Sequence, residues 1–497
     1  MSWYTIIAGI VAAGFAYWQY WKWTHRRMLE LAAKVPGPPT LPVLGNALYF
    51  MAGPGEMLDK ISRLYEIYGQ YFKFWLGPEL NICVTNPGDI RTLLTSNKLN
   101  HKGPLYDLLL PYIGPGMLSG GPTWRNHRKI ANPSYNKKSV EYFTPIFNVE
   151  AEYLAKTLAN RDSKAFDIYQ DVVRCTTQSV NQTLMGVTKE ESMNLYRLDE
   201  MVAHTRGIYN HIFAKMTKWW LQIPFIYWLV GGKKTQKFYM QLIDEFTEDV
   251  VRRREKALET SRPDEDSMGI VDRYILSGEL DRQEVKWDTF TLFTTSQEAA
   301  AKIASGVLLY LSHLPDWQER VYNEIIEVVG PHDPVSSEQL KKLYNLDLVY
   351  KEVLRCLSIG ALIQRTVDEE ISIDEGRITL PVGTSLIISI HHLHQDPRYW
   401  EDPAKVKPER FLPENMKNRD PNAFVPFSLG PMDCLGRVYA TALVKTIVVR
   451  VLRLIRLEPV GSIDELKLDV AISVSVRGGY NVRVQPRRNN VRINGFS

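Results

Sequence analysis

The stretch that most constrains this chain is Phe427-Ser428-Leu429-Gly430-Pro431-Met432-Asp433-Cys434-Leu435-Gly436-Arg437, near the C-terminal end. A cysteine stands between two glycines, a phenylalanine lies upstream, and the helix-permissive run Val438 to Val444 follows. Gly430 and Gly436 allow a loop to fold close against a flat partner, and the amides that open the next helix favour the deprotonated sulfur. Cys434 therefore reads as a thiolate metal ligand. A lone cysteine at a helix start is more often a buried structural residue, so the rest of the chain has to decide.

Cys83, Cys175 and Cys356 are far apart and show no metal-type spacing, so neither a disulfide framework nor a zinc site is expected. Such usage suits a reducing compartment. A length of 497 residues would allow about three domains, yet no low-complexity linker interrupts the chain. Hydrophobic residues make up 45%, enough for a substantial core and too many for disorder. The net charge is +4. Apart from Arg252-Arg253-Arg254 and Arg487-Arg488 the charges are mixed, which argues against a nucleic-acid partner.

Trp3 to Trp23 carries no charge before Lys22 and has tryptophan and tyrosine at both ends. Its length suits a membrane-spanning helix, and the flank Lys22, His25, Arg26 and Arg27 would keep the body cytosolic. Pro36-Gly37-Pro38-Pro39 and Pro42-Val43-Leu44-Gly45 form a stiff connector after it. Tyr71–Trp75 and Asn81–Val84 alternate like paired strands. The run Trp219 to Val230 is too short to span a membrane and too apolar for a plain surface loop; it reads either as core or as a segment dipping into the bilayer. Trp287 to His313 contains no proline and few charges, which predicts a long central helix. Ala471–Val476 and Tyr480–Val484 alternate like a hairpin turning at Gly478-Gly479, with its tip at the pocket.

Four further motifs accompany the cysteine loop. Trp124 and Arg128 are four residues apart and share a helix face, as do Glu352 and Arg355, three apart. Pro408-Glu409-Arg410-Phe411 and His391-His392-Leu393-His394-Gln395-Asp396-Pro397 follow in order. The histidine run matches a strand-and-turn pattern better than a metal cluster. In this order and spacing, from residue 36 to about 483, the chain resembles the cytochrome P-450 family. Its signatures are WxxxR, ExxR, PERF and FxxGxRxCxG, and the broader likeness is to insect relatives of the fatty-acid omega-hydroxylase branch.

The resemblance implies a mainly α fold with small β-sheets, the helix-rich triangular prism of that family, behind an N-terminal transmembrane helix. Residues 1–27 would be the anchor, 28–45 the proline-rich hinge and 46–497 one haem-binding catalytic domain. Cys434 would be the axial ligand of a non-covalent haem b (iron protoporphyrin IX), pushing electron density toward bound oxygen, with Phe427, Gly430 and Gly436 shaping its loop. Trp124, Arg128 and Arg365 would reach the haem propionates, and Glu352, Arg355 and Arg410 would form a buried network steadying the loop. Leu118, Thr294, Thr295, Ala299, Ile359 and Leu362 would face a small lipophilic substrate.

The family signature (A/G)Gx(D/E)TT maps onto Thr295-Ser296-Gln297-Glu298-Ala299-Ala300. Glu298 keeps the acid, and Ala299 replaces the threonine that orients proton-delivering water. Met432 stands where the family has an arginine for a propionate, and the paired prolines usual after Leu357 are missing. Some omega-hydroxylases bind haem covalently through a glutamate at the position of Thr295, so a removable haem is expected here.

The resemblance further implies electrons from NADPH through a membrane-bound cytochrome P-450 reductase, with cytochrome b5 as a second candidate donor. Arg125, Lys129 and Arg437 would form the docking face, and the setting would be the endoplasmic reticulum membrane, single-pass, with the body cytosolic. The leading reading is a haem-thiolate monooxygenase. The alternatives are haem-dependent rearrangement or dehydration of an oxygenated substrate, and a lapsed haem protein that binds lipophiles.

Overall fold

The computed structural model describes residues 3–487 and is mainly helical with small sheets. Residues 1 and 2, Arg488 and the rest of the expected body to residue 497 lie outside the described residues. After the N-terminal helix α1 (Trp3–Thr24), four helices position the site: α2 (Trp124–Ala131), α3 (Arg282–His313), α4 (Tyr344–Cys356) and α5 (Arg437–Leu454). The expected central helix is α3, which begins five residues earlier than its apolar run. Asp281 accepts from the Glu284 N–H while the Glu284 carboxylate accepts from the Asp281 N–H, a reciprocal cap that satisfies two amides at the start. Val307, Leu308 and Leu311 of α3 and Leu443, Ile447 and Val448 of α5 are fully buried in the larger apolar core.

The main sheet contains β1 (Tyr71–Leu76), β2 (Glu79–Val84), β3 (His101–Lys102), β4 (Leu362–Thr366) and β5 (Ser385–Ser389), in the order β1-β2-β5-β4-β3. The first two pair antiparallel, as their alternation predicts. Chain distant in sequence supplies the rest: β5 runs parallel to β2, and β3 pairs with β4 so that Lys102 lies opposite Arg365. The proline-rich connector is fastened to this sheet. The Lys73 N–H donates to the Pro36 carbonyl at 2.8 Å, and a Cβ on Gly37 would sit 2.2 Å from the Lys73 carbonyl oxygen.

Two expectations are corrected and one open alternative is narrowed. The C-terminal hairpin does not turn at Gly478-Gly479. Instead β7 (Leu468–Val470) pairs with β8 (Val474–Val476), while β9 (Asn481–Pro486) pairs with β6 (Ile455–Pro459). Both glycines have positive φ, and a Cβ on Gly479 would lie 2.6 Å from the Asp167 carboxylate, so the pair carries the chain from one sheet to another. The turn that points inward is 471–473. The His391 segment is a helical turn, Ile390–His394, and not part of a strand. The apolar run at 219–230 is not core: it folds as Trp219–Gln222 and Pro224–Leu229, leaving Phe225 67% and Trp228 61% exposed.

α1 covers 22 residues. Tryptophan, tyrosine and small residues keep its hydropathy modest, and among the described residues no helix is long and apolar enough to cross a membrane. Arg27, expected to flank the membrane, forms two 3.2 Å bonds to Glu370.

The ion pair expected between Glu352 and Arg355 is not on the surface: both side chains are 0% exposed. Arg355 donates to both carboxylate oxygens at 2.8 and 2.9 Å, to the His394 carbonyl at 2.9 Å and to the Lys405 carbonyl at 3.2 Å. Arg410 stands 3.4 Å from the same carboxylate. Removing one partner leaves a buried charge without its counterpart, which costs about 3–5 kcal/mol. Arg355→Ala should therefore lower unfolding stability by about that much, or abolish soluble expression. A thermal melt within a degree or two of wild type would contradict this.

Candidate functional site

Cys434 sits at the end of a tight loop and directly before α5. Its N–H donates to the Phe427 carbonyl at 2.8 Å, and the Asp433 N–H donates to the Gly430 carbonyl at 3.1 Å. Gly430 has φ +77, and a Cβ there would be 2.0 Å from the Leu94 carbonyl oxygen, so only glycine lets the loop press against that backbone. Gly436 differs: its φ is −80, and a Cβ would meet only the Cys434 sulfur at 3.9 Å and the Tyr135 ring at 3.8 Å. The loop also holds Ser428 at φ +62.

Cys434 keeps accessible surface although its thiol is set deep in the protein. Burial, with the Asp433 charge adding to it, holds the thiol above its usual range against the pull of the Gly436 N–H, Arg128 and Arg437. The combination fits a sulfur on the floor of a hollow. On α3, Thr295, Ser296 and Ala299 are the residues between 291 and 300 that are not fully buried. Tyr135 joins the two walls, with its ring by Gly436 and its hydroxyl 3.1 Å from the Ser296 hydroxyl. Leu118, Ile359 and Leu362 are likewise half-buried, whereas Thr294 is buried and donates to the Phe290 carbonyl at 3.0 Å. The 471–473 turn reaches this region, since the Val474 N–H donates to the Ile359 carbonyl at 2.9 Å.

α2 is docked on α3 through His127, whose Nδ1 lies 2.6 Å from the Asp288 carboxylate. Trp124 is buried on the same helix. Arg128 donates twice to Asp433, at 2.6 Å to its carbonyl and 2.6 Å to its carboxylate. Arg437 donates to the other carboxylate oxygen at 2.9 Å. Arg365 is 3% exposed and donates to the Gln364 carbonyl at 3.0 Å. No carboxylate pairs with it among the described residues, and burial lowers its affinity for its proton. A cysteine with accessible surface in a glycine-shaped loop, and a buried guanidinium with no carboxylate partner among the described residues, are the residue types that fit a flat dianionic macrocycle with an axial metal. Cys434 would hold the iron, and Arg365, with Trp124 and Arg128 nearby, would face the acidic edge.

Glu298 is not free. Lys302, one turn further along α3, lies 2.6 Å from its carboxylate, and the Lys302 ammonium and Ser473 hydroxyl are 2.6 Å apart. Ser473 in turn donates to Glu298 at 3.2 Å. The i, i+4 spacing of 298 and 302 was visible in the sequence. Ser473, Asp433, Tyr135 and Lys102 were missed because their roles depend on contacts with distant residues.

A cleft that does not include Cys434 opens beside the start of α3. It is about 1150 Å³ and is lined by Tyr112, Tyr227, Trp228, Met240 and Trp287 among others. Trp287 is two turns before Thr295 on α3, and Trp228 belongs to the exposed apolar segment, so the cleft opens where that segment meets solvent.

Residues 35–476 match the family model described as Cytochrome P-450. The chain is 30% identical to cytochrome P-450 4c3 of Drosophila melanogaster, over 93% of this chain and 91% of that protein. It is 30% identical to cytochrome P-450 4d1 of Drosophila simulans, over 93% and 94%. Its identity to cytochrome P-450 4V2 of Homo sapiens is 28%, over 95% and 92%.

The His127–Asp288 contact makes docking of α2 depend on pH. Burial works against the charged ring, yet the Asp288 hydrogen bond and charge, aided by Glu284, leave its proton affinity raised. A raised folded-state value means that the stabilisation is complete below the ordinary histidine range, about 6.5, and is lost as pH climbs through the folded value. Thermal melts should thus lose stability with rising pH above about 6.5, and Asp288→Asn should flatten that segment. Parallel pH profiles for the two proteins would contradict it.

Proposed function

The chain belongs to the cytochrome P-450 family and is a haem monooxygenase, and beyond that we propose that it inserts one oxygen atom of dioxygen into a small lipophilic substrate. Electrons come from NADPH through a membrane-bound reductase, with cytochrome b5 as an auxiliary donor. The observation that carries this reading is the partly accessible Cys434 at the end of its glycine-shaped loop, which Tyr135 links to Ser296 on α3. Haem bound there through the Cys434 thiolate supplies dioxygen activation and electron storage. The protein's own part is to set sulfur basicity through Gly436, Arg128 and Arg437, to orient substrate, and to keep water out.

Leu118, Ile359, Leu362, Ala299 and the 471–473 turn form an apolar wall suited to a lipophilic substrate. Arg125, Lys129 and Arg437 are exposed on the cysteine-loop side and offer a cationic face to an acidic electron donor, so salt should weaken coupling. The uncharged run before Lys22, with tryptophan and tyrosine at both ends, supports residues 1–27 as the attachment to the endoplasmic reticulum membrane, 28–45 as the hinge and the body from residue 46 on the cytosolic side. The exposed Phe225, Trp228, Leu229 and Val230 beside the large cleft support substrate entry from the lipid.

Glu298 stands beside a residue with no hydroxyl and is already bound to Lys302 and Ser473. Proton delivery through it is therefore slow. Product formed per NADPH should be low and peroxide release high, and Ala299→Thr should raise the ratio severalfold in stopped-flow and peroxide assays. Full coupling in the wild type would refute this.

The reduced carbon monoxide difference spectrum of the purified protein tests the cofactor directly. It should show the thiolate band, absent in Cys434→Ala, and acidified organic solvent should extract all the haem because position 295 is threonine. Turnover with a hydroperoxide but none with a reductase would overturn the monooxygenase reading in favour of rearrangement or dehydration.

A further inference from the structure

Two neighbouring residues near the start of α3, Trp287 and Asp288, hold the 110–120 loop that carries Leu118. Gly114 has φ +59, and a Cβ there would lie 2.1 Å from Trp287 Cε3, so the backbone runs directly against the indole. Two residues on, a Cβ on Gly116 would lie 2.8 Å from Asp288 Oδ1 and 3.0 Å from His127 Nδ1. The Met117 N–H donates to the same Oδ1 at 3.2 Å. The Gly116 N–H donates to the Ser119 hydroxyl at 2.8 Å, closing a turn that contains Leu118, and Gly120 bridges to His101 at the sheet edge.

Asp288 is 1% exposed and uses both of its oxygens, Oδ1 on the loop and Oδ2 on the His127 ring at 2.6 Å. A buried carboxylate is costly unless such bonds satisfy it, so one side chain ties the loop and α2 separately to α3. Docking α2 needs the His127 contact alone. The second contact fixes the chain one residue before Leu118, at a point two turns ahead of Thr295. Upstream in the same loop, Leu110, Pro111 and Tyr112 line the cleft together with Trp287. Along the chain, the clamp therefore stands between the cleft and Leu118.

We propose that Asp288 is a positioning residue for substrate: by holding Met117 it fixes Leu118 in the wall of the pocket beside Cys434, and so limits the width of the molecule admitted there. This rests on the haem-pocket reading above. Two measurements on the full-length, haem-loaded protein test it. Hydrogen exchange at the Met117 amide, read by mass spectrometry, reports the bond itself. Soret titrations with imidazole and with N-tritylimidazole, which carries three phenyl rings, give the ratio of a wide to a narrow iron ligand. Asp288→Ala and Gly116→Ala should each speed Met117 exchange about tenfold, as loss of one hydrogen bond to a charged group implies. Both should also raise the relative affinity for N-tritylimidazole severalfold. His127→Ala removes the α2 contact and leaves the loop contact, so both readings should stay within about twofold of wild type.

The φ of Gly116 lies outside the left-handed range, so alanine there introduces the close contact without backbone strain or a change of charge. That variant carries the test where Asp288→Ala fails to fold. Wild-type exchange at Met117 in Gly116→Ala, an unchanged affinity ratio, or the same change of ratio in His127→Ala would each overturn the proposal. A wild-type protein with no thiolate-type carbon monoxide spectrum would remove the haem reading itself, and Met117 exchange would then stand as the test of the clamp.

Discussion

The site depends on a carboxylate and a guanidinium that have no contact with water. Glu352 and Arg355 are each expensive to bury, by several kcal/mol, and persist because every part of the pair is used. Arg355 bonds the carboxylate twice and also the His394 and Lys405 carbonyls, and Glu352 additionally accepts from the Lys407 N–H at 2.8 Å. Rigidity passes from there to the sulfur. The Val425 N–H donates to the His394 ring at 3.0 Å, the Ser428 N–H donates to the Val425 carbonyl at 3.0 Å, and the Cys434 N–H closes onto Phe427. A run of short bonds thus connects a helix eighty residues upstream to the reactive thiol.

What was legible in the sequence was local. The cysteine loop, the i, i+3 pair on α4, the apolar run of α3 and the alternation of β1 and β2 each follow from residues close together in the chain, and all appear where they were expected. The failures share a different cause. Gly478-Gly479 looked like a hairpin turn because strands flank it, but each strand finds its partner elsewhere, and that choice lies in long-range pairing. The 219–230 segment offered no means of separating core from exposed apolar surface, since composition is the same in both. Lys102 could not be read as a neighbour of Arg365 without the register that places them opposite each other.

Charge around the thiol is distributed unlike the family pattern. Met432 removes a cation from the loop, and the adjacent Asp433 draws Arg128 and Arg437 onto itself. Asp433 thus offsets one of the two guanidiniums that it holds, and further positive charge without a carboxylate partner among the described residues sits on Lys102 and Arg365. Position 430 explains why the loop keeps its shape despite the change. Its contact with the Leu94 backbone is steric and independent of charge, so the residues at 432 and 433 can vary without moving the sulfur.

The same reasoning connects two departures on α3. A buried carboxylate next to a threonine has a hydroxyl close at hand, but Ala299 offers none, and a carboxylate buried without a partner is costly. Lys302 resolves this from one turn away and Ser473 from the 471–473 turn, so Glu298 becomes the fastening between the central helix and the loop over the pocket. An acid used as a fastening moves less readily to carry protons. Loss of the hydroxyl and gain of the lysine therefore act in the same direction, toward a rigid pocket with a restricted proton supply.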